Sequence, residues 1–226
     1  MSEDLKQVLK KASNQELTEL LKLFEKQWTS SVIEIPELTG KKQREEIIDL
    51  LEKEIREFGG NTFANMFRGG GPEYSEIVCD VASKFKVNTN GLSIPEIEDK
   101  ICCVILQKAI DHMSEDERRE LFKTLSIDSP SSLKGEALIA ALMAIFRAGG
   151  FKSYQLTLII VNAVWKYIFK RGLSFAGNAA LTKILSILTG PVGWAITAIW
   201  TAIDIAGPAY RVTIPSVLYI AMLRKK

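Results

Sequence analysis

Charged residues are divided unequally along this chain, and the division limits what it can fold into. Residues 1–134 carry 19 Lys and Arg against 25 Asp and Glu, a net charge of −6. Residues 135–226 carry 10 Lys and Arg against 2 Asp and Glu, a net charge of +8. With 12 charges in 92 residues, the second part has too little polar surface to cover its own apolar residues. We therefore expect it to be covered by the rest of the molecule, by a partner or by lipid.

The first part is patterned as a set of amphipathic helices. Ser-x-x-Glu sequences begin at Ser13, Ser93 and Ser114, and in this spacing the serine and the glutamate cap a helix start reciprocally. Apolar residues at helical spacing follow, and residues 41–58 have the same spacing. Alternating strand patterns and hairpin dipeptides are absent from the sequence. We predict an all-α fold, a helical bundle with an apolar C-terminal helical hairpin.

Composition divides the chain into three predicted regions. These are an N-terminal amphipathic helical element over 1–40, an acidic helical module over 41–130 and an apolar, basic helical region over 131–226. In the last region, residues 137–146 are apolar on every side and residues 156–165 are nearly so, which predicts buried helices. The β-branched residues 212–214 precede a proline, so we predict extended backbone there and a last helix that Pro215 opens.

The C-terminal hairpin is predicted over residues 173–206. Residues 184–203 carry no charge, and 20 residues at about 1.5 Å each reach the roughly 30 Å of a bilayer core as one straight helix. A Gly-Pro sequence interrupts the run, because proline lacks the amide that a helix needs, and each resulting arm is too short to span a membrane. Two tryptophans in the second arm have the amphipathic rings favoured at interfaces. The residues predicted for the turn and its contacts are Gly190, Pro191, Gly193, Trp194 and Trp200.

Two environments for this hairpin stay open. In one it lies at an anionic lipid surface, to which Lys166, Lys170, Arg171 and the terminal residues 224–226 supply positive charge. In the other it is buried in a soluble bundle with the acidic helices packed around it, which the mean hydropathy of +0.08 favours. The two are compatible if the bundle can release the hairpin.

A single acidic residue follows Glu136, and we predict that it is paired. Asp204 is that residue, and Arg211 follows it across a Gly-Pro sequence. A carboxylate in apolar surroundings is costly unless it has a partner. We therefore predict a structural ion pair between Asp204 and Arg211, in preference to an acid that titrates and releases the hairpin.

A glycine-rich corner lies between two predicted helices. It has neither the lysine nor the preceding strand of a phosphate-binding P-loop. Glycine does permit close packing and positive φ, so we predict a helix-turn-helix corner rather than a nucleotide site. The residues of this corner are Gly59, Gly60, Asn61, Arg68, Gly69, Gly70 and Gly71.

The sequence contains few candidates for catalysis or metal binding. His112 is the single histidine and lies at a predicted helix end, where contact with free carbonyls is the more common role. Cys79, Cys102 and Cys103 include no Cys-x-x-Cys pair, so we interpret them as small buried hydrophobes. Basic residues are not interleaved with aromatic ones as on a nucleic-acid surface. We predict no enzyme activity, metal, cofactor or nucleic-acid partner.

Two runs of residues resemble a known family. The run over 58–80, FGGNTFANMFRGGGPEYSEIVCD, and the run over 209–224, AYRVTIPSVLYIAMLR, are similar to the bacterial YaaW-like proteins, a family without an established function. That family is grouped with the ubiquinol-cytochrome c assembly chaperones through its helical middle region. The resemblance implies an all-helical, chaperone-like module over about residues 41–125, and it implies no substrate.

Together these observations predict a non-catalytic helical binding protein that acts like a chaperone or assembly factor. We expect its C-terminal half to engage a membrane surface or a hydrophobic protein partner. The alternative is a membrane-active effector, pore-forming or inserting, that is released from a soluble bundle. Three cysteines and no apolar leader lead us to expect a cytoplasmic protein, with peripheral attachment to the inner membrane as a second expectation. Its oligomeric state stays open.

Overall fold

The computed structural model describes residues 2–25, 41–59, 71–127, 134–174, 201 and 210–226. These ranges contain helices and turns and no strand, which confirms the predicted all-α fold. The hairpin over 173–206 lies almost wholly outside them and stays a prediction. The helices of the described residues are α1 (Ser2–Lys11), α2 (Asn14–Glu25), α3 (Lys41–Gly59), α4 (Tyr74–Lys84), α5 (Ile94–Asp111), α6 (Glu115–Thr124), α7 (Gly135–Arg147), α8 (Gly150–Phe169) and α9 (Tyr210–Arg224).

The serines predicted as caps lie where helices begin. Ser13 precedes α2, and its amide donates to the Glu16 carboxylate at 2.7 Å. Ser114 precedes α6, where its hydroxyl accepts from the Glu117 amide and the Glu117 carboxylate accepts from the Ser114 amide. The Ser93 amide donates to the carboxylate three residues further on, immediately before α5. A cap of this kind stabilises its helix by about 1 kcal/mol.

Packing divides the chain into two compact units. The first contains Met1–Glu98 and Gly207–Arg224, and the second contains Asp99–Ala206 and Lys225–Lys226. The dividing point lies inside α5. The three regions predicted from composition describe the character of the sequence, and their boundaries stay a prediction.

The first unit is built around α9. Four helices, α1, α2, α3 and α4, pack against it. Every residue of α9 from Val212 to Leu223 is buried. A helix that is apolar on all sides is stable in water only when neighbours enclose it. The N-terminal helices thus supply, for α9, the cover that the charge distribution leads us to expect.

The prediction for the residues around Pro215 was wrong. Val212, Thr213 and Ile214 are helical instead of extended, and Pro215 lies inside α9 instead of in its first turn. Because proline has no amide hydrogen, the helix loses a backbone hydrogen bond at this point. The Ser216 hydroxyl donates to the Val212 carbonyl at 2.8 Å. Enclosure of the apolar residues on both sides of Pro215 outweighs the local preference.

The second unit contains one helix with a long buried stretch, α8, and an amphipathic helix, α7. Every residue of α8 from Ser153 to Trp165 is buried, which confirms the prediction for residues 156–165. Residues 137–146, predicted to be buried on all sides, are buried on one side of α7 only, so that prediction was wrong. Alanine, which occupies the other side, is apolar but small enough to face water at little cost. The buried residues of α7 are Leu138, Leu142, Met143 and Phe146.

Two glycines bend the chain sharply between α7 and α8. Gly149 and Gly150 have φ values of 75° and 66°, in the left-handed region that favours glycine. The bend between the two helices is 107°. Among the described residues no single helix has the length and hydropathy of a membrane span. Only α7 and α8 taken together, as this bent pair, have that length and hydropathy.

Candidate partner-binding surface

Most residues predicted for a functional role lie outside the described part of the chain. The described ones are Gly59 at the end of α3, Gly71 before α4 and Arg211, which is exposed in α9. Because Asp204 is outside, its ion pair with Arg211 stays a prediction. The predicted residues that fall outside are Gly60, Asn61, Arg68, Gly69, Gly70, Gly190, Pro191, Gly193, Trp194, Trp200 and Asp204.

Gly71 lies directly against the backbone of α3. A Cβ atom on Gly71 would overlap the carbonyl group of Arg56, so a larger residue requires the backbone to move. The Arg56 guanidinium donates to the carbonyls of Gly71 at 3.2 Å and of Pro72 at 3.0 Å. It also donates to the Glu73 carboxylate at 3.1 Å. These contacts fix the direction in which the chain enters α4.

A partly buried group of charges ties the end of α9 to its neighbours. Arg224 donates two parallel hydrogen bonds to the Asp4 carboxylate, at 2.9 and 2.8 Å, and a third to Glu98 at 2.8 Å. The Tyr74 hydroxyl donates to Glu98 at 2.7 Å. We name these four residues the Arg224 cluster. Sequence analysis missed the cluster because Asp4 and Glu98 lie 220 and 126 residues from Arg224 along the chain.

Burial governs protonation in the Arg224 cluster. It raises the pKa of Glu98 above the ordinary 4.5, and the hydrogen bonds from Arg224 and Tyr74 offset only part of that rise. Burial and the adjacent charge of Glu98 raise the pKa of Tyr74 well above its usual value. Burial alone would lower the pKa of Arg224, but its hydrogen bonds to Asp4 and Glu98 outweigh this effect and raise it. The pairing therefore keeps Arg224 charged although it is largely enclosed.

Two terminal cations that were expected to meet lipid make contacts within the protein. Arg224 belongs to the cluster above. In the second unit, Lys225 pairs with Asp99 at 2.6 Å, donates to the Ser153 hydroxyl at 3.0 Å and lies 4.8 Å from the centre of the Phe146 ring. For these two residues the contacts favour the enclosed environment of the two that the sequence left open. The basic C-terminal sequence alone does not indicate that acidic residues of α1 and α5 pair with it in the folded protein.

The elbow between α7 and α8 presents an exposed apolar surface. Phe151 is 56% exposed, and within the described ranges no other large hydrophobic residue is exposed. Its ring stacks on that of Tyr154, with centroids 6.1 Å apart. Exposed alanines line the outer side of α7 up to its C-cap. We name this set the elbow surface, and it consists of Phe151 with Ala137, Ala140, Ala144 and Ala148.

Gln155 lies one helical turn after Phe151, on the same side of α8. It is 4% exposed, and its Oε1 atom has no hydrogen-bond partner in the described part of the chain. Leaving a buried acceptor without a donor costs about 1 to 3 kcal/mol. Such an atom is rare in a folded protein.

Chemical groups suited to catalysis or metal binding are dispersed in the described residues. These ranges hold no group of three His, Cys, Asp or Glu residues placed to bind a metal ion. His112 is exposed at the end of α5. Cys102 is buried, Cys79 and Cys103 are half-buried, and all three are free thiols.

Comparison with known proteins identifies the family. Residues 44–218 match a family model described as ubiquinol-cytochrome C chaperone. A UPF0174 protein of Helicobacter pylori strain J99 is 50% identical over 177 residues, which cover 78% of this chain and 70% of that protein. The UPF0174 protein YaaW of Escherichia coli strain K12 is 31% identical over 180 residues, again 78% of this chain and 70% of that protein. The chain belongs to the YaaW-like UPF0174 family.

Membership of the UPF0174 family confirms the resemblance seen over residues 58–80 and 209–224, and it groups the chain with the ubiquinol-cytochrome C chaperones. The range matched by the family model includes the whole elbow surface. The names of the UPF0174 relatives state no activity. No solved structure matches this chain.

Gly71→Ala should lower the free energy of unfolding by about 3 kcal/mol, because the added methyl group overlaps the Arg56 backbone. The matched control is Gly91→Ala, where no atom lies within 4 Å and only the positive φ of 71° opposes the change. We expect a loss of about 1 kcal/mol for the control. Urea unfolding measures both, and equal losses would contradict the close approach at Gly71.

Glu98→Gln should change how stability depends on pH. The folded-state pKa of Glu98 lies above the ordinary 4.5, so the folded protein holds this proton more tightly than the unfolded chain does. The resulting stabilisation is complete below pH 4.5 and is lost as the pH rises through the folded-state pKa. Over that interval the wild type should lose stability relative to the variant, as measured by urea unfolding at a series of pH values.

Arg224→Met is the companion variant for the pH series. Removal of the guanidinium leaves Glu98 buried without its cation. The pH interval over which the folded protein loses the Glu98 proton should therefore extend to higher pH. The free energy of unfolding at neutral pH should fall by about 3 to 5 kcal/mol. If the free energies of unfolding of the wild type and Glu98→Gln change in parallel at every pH, Glu98 has the same pKa in the folded protein as in the unfolded chain.

Proposed function

We propose that this protein is a non-catalytic, chaperone-like assembly factor that binds an apolar segment of a protein partner through its C-terminal half. The grouping of its family with the ubiquinol-cytochrome C chaperones supports a protein as the partner. The observation that carries the proposal is the elbow surface, which leaves Phe151 and a row of alanines open to contact.

An apolar helix or extended segment suits the elbow surface in shape and chemistry. Covering apolar surface is favourable by roughly 25 cal/mol per Å², and small side chains on α7 let another backbone approach closely.

The elbow surface is held in place before any partner arrives. The buried side of α7 and the buried stretch of α8 from Ser153 to Trp165 anchor its two arms. The Lys152 ammonium, next to Phe151, donates to the Leu125 carbonyl at the end of α6. A surface that is already ordered loses little conformational entropy on binding, which favours affinity.

We place this activity in the cytoplasm, at the periphery of the inner membrane, as part of the same proposal. The support is the sequence: residues 137–203 contain no acidic residue, and residues 184–203 carry no charge at all. A location beside the membrane would bring the protein close to partners whose apolar helices still have to be packed.

Phe151→Ser tests the proposed function. Wild-type protein should suppress the light scattering of reduced insulin as its chains aggregate, and the variant should require about tenfold more protein for the same effect. The reason is the loss of one apolar side chain from the contact, about 1.4 kcal/mol. Because Phe151 is more than half exposed, the variant should retain its fold.

Phe151→Tyr is the matched control, since it keeps the ring and adds one hydroxyl at an exposed position. It should suppress aggregation like the wild type. Equal activity of Phe151→Ser and wild type would remove the elbow surface from the proposal. Absence of activity in the wild type itself would contradict the chaperone-like function.

A further inference from the structure

Three exposed cations are concentrated at the C-terminal end of α8. Lys166 lies in the last turn, Lys170 is the C-cap and Arg171 follows it, and all three are exposed. Within the described ranges none of them forms an ion pair. We name these three residues the basic end of α8. Its net charge of +3 distinguishes it from the elbow surface, which lies at the opposite end of the same helix.

The turn that carries this basic end is fixed by buried contacts. The Asn162 Oδ1 atom accepts a hydrogen bond from the Leu173 amide at 2.7 Å, and both residues are buried. Gly172 passes so close to the Asn162 side chain that a Cβ atom would lie 2.7 Å from Oδ1. Lys170 adopts the left-handed conformation, with φ 59°, that folds the chain back at this point. The cations are thus presented on an ordered turn.

Two of the cations also have defined side-chain contacts that leave their charge unneutralised. The Lys170 ammonium lies 5.0 Å from the centre of the Tyr167 ring, and Arg171 donates to the Ser174 hydroxyl at 3.2 Å. Both contacts are to neutral groups. Stabilisation of the helix dipole accounts for a cation in the last turn, such as Lys166, but its effect falls off beyond that turn.

The surrounding sequence favours a lipid surface over other anionic partners. From residue 137 to residue 203 the chain has no Asp or Glu, so no nearby acid in the sequence competes for these cations. The residues that follow Arg171 are uncharged up to Lys183 and again over 184–203. Clustered cations immediately before an apolar run, with a tyrosine beside them, are the arrangement that juxtamembrane segments use on anionic leaflets.

We propose that Lys166, Lys170 and Arg171 form a docking patch for the headgroups of anionic phospholipids. The patch rests on the membrane-peripheral location proposed above and names the residues that hold the protein there. Phosphate oxygens accept hydrogen bonds from both lysines and from the arginine fork, while Tyr167 lies at the level of the headgroups. Arg224 and Lys225 take no part, because acids within the protein already bind them.

The test is sedimentation of the full-length protein with vesicles. Wild-type protein should bind vesicles of phosphatidylglycerol and phosphatidylcholine in equal parts, should not bind phosphatidylcholine alone, and should dissociate as salt is added. Each basic residue at such a surface contributes roughly fivefold to the binding constant, so the triple variant Lys166→Gln, Lys170→Gln and Arg171→Gln should bind roughly 100-fold more weakly.

A second triple variant controls for net charge. Lys42→Gln, Lys100→Gln and Lys108→Gln remove the same three charges from exposed positions that form no ion pair in the described residues, and this variant should bind vesicles within about twofold of the wild type. Circular dichroism of both variants checks the fold. Equal losses in the two would show that overall charge, and not the basic end of α8, drives binding, and would overturn the patch.

Two further outcomes separate the patch from the proposed function. If wild-type protein suppresses aggregation of reduced insulin but ignores anionic vesicles, the patch is wrong and the chaperone-like function stands. If the patch variant loses vesicle binding while it still suppresses aggregation, the patch is correct and is independent of the elbow surface. Binding of a duplex RNA by wild-type protein that does not bind anionic vesicles would assign the cations to nucleic acid and overturn the lipid proposal.

Discussion

The first unit depends on one constraint, which is that α9 is apolar on every side and must be enclosed. Each large apolar side chain that is fully buried contributes about 1.5 to 3 kcal/mol, and α9 buries every residue from Val212 to Leu223. No single neighbour can cover such a helix, so α1, α2, α3 and α4 surround it. Most acidic residues of these four helices are exposed or half-buried, although Glu16 and Glu19 of α2 are buried.

Apolar packing alone does not determine how α9 is rotated or how far it is inserted, because all its sides are alike. Polar groups provide that information. The Tyr219 hydroxyl donates to the Glu16 carbonyl at 3.0 Å, and Arg224 meets Asp4 and Glu98 at the end of the helix. A buried polar group is satisfied in one arrangement and costly in others, so these contacts select a single register. Their value lies in specificity more than in net stability.

Local signals in the sequence predicted local structure well. The caps at Ser13, Ser93 and Ser114 and the buried run in α8 depend on residues close together in the chain, and the structure confirms them. Pro215 was misplaced because its surroundings come from four other helices. The Arg224 cluster could not be predicted for the same reason, since its members are far apart in sequence. The elbow surface could not be predicted either, because the sequence does not say which side of α7 is covered. The hairpin and most of the glycine-rich corner stay predictions from the sequence.

The central position of α9 also determines when the first unit can be completed during synthesis. Arg224 bonds to Asp4 across 220 residues, so the ribosome must translate nearly the whole chain before this contact can form. At about 5 to 20 residues per second, roughly 7 to 28 s pass between emergence of α4 and arrival of α9. Throughout that time the apolar sides of α1, α2, α3 and α4 lack their central helix. A protein proposed to shelter the apolar segments of others therefore needs shelter itself while it is being made.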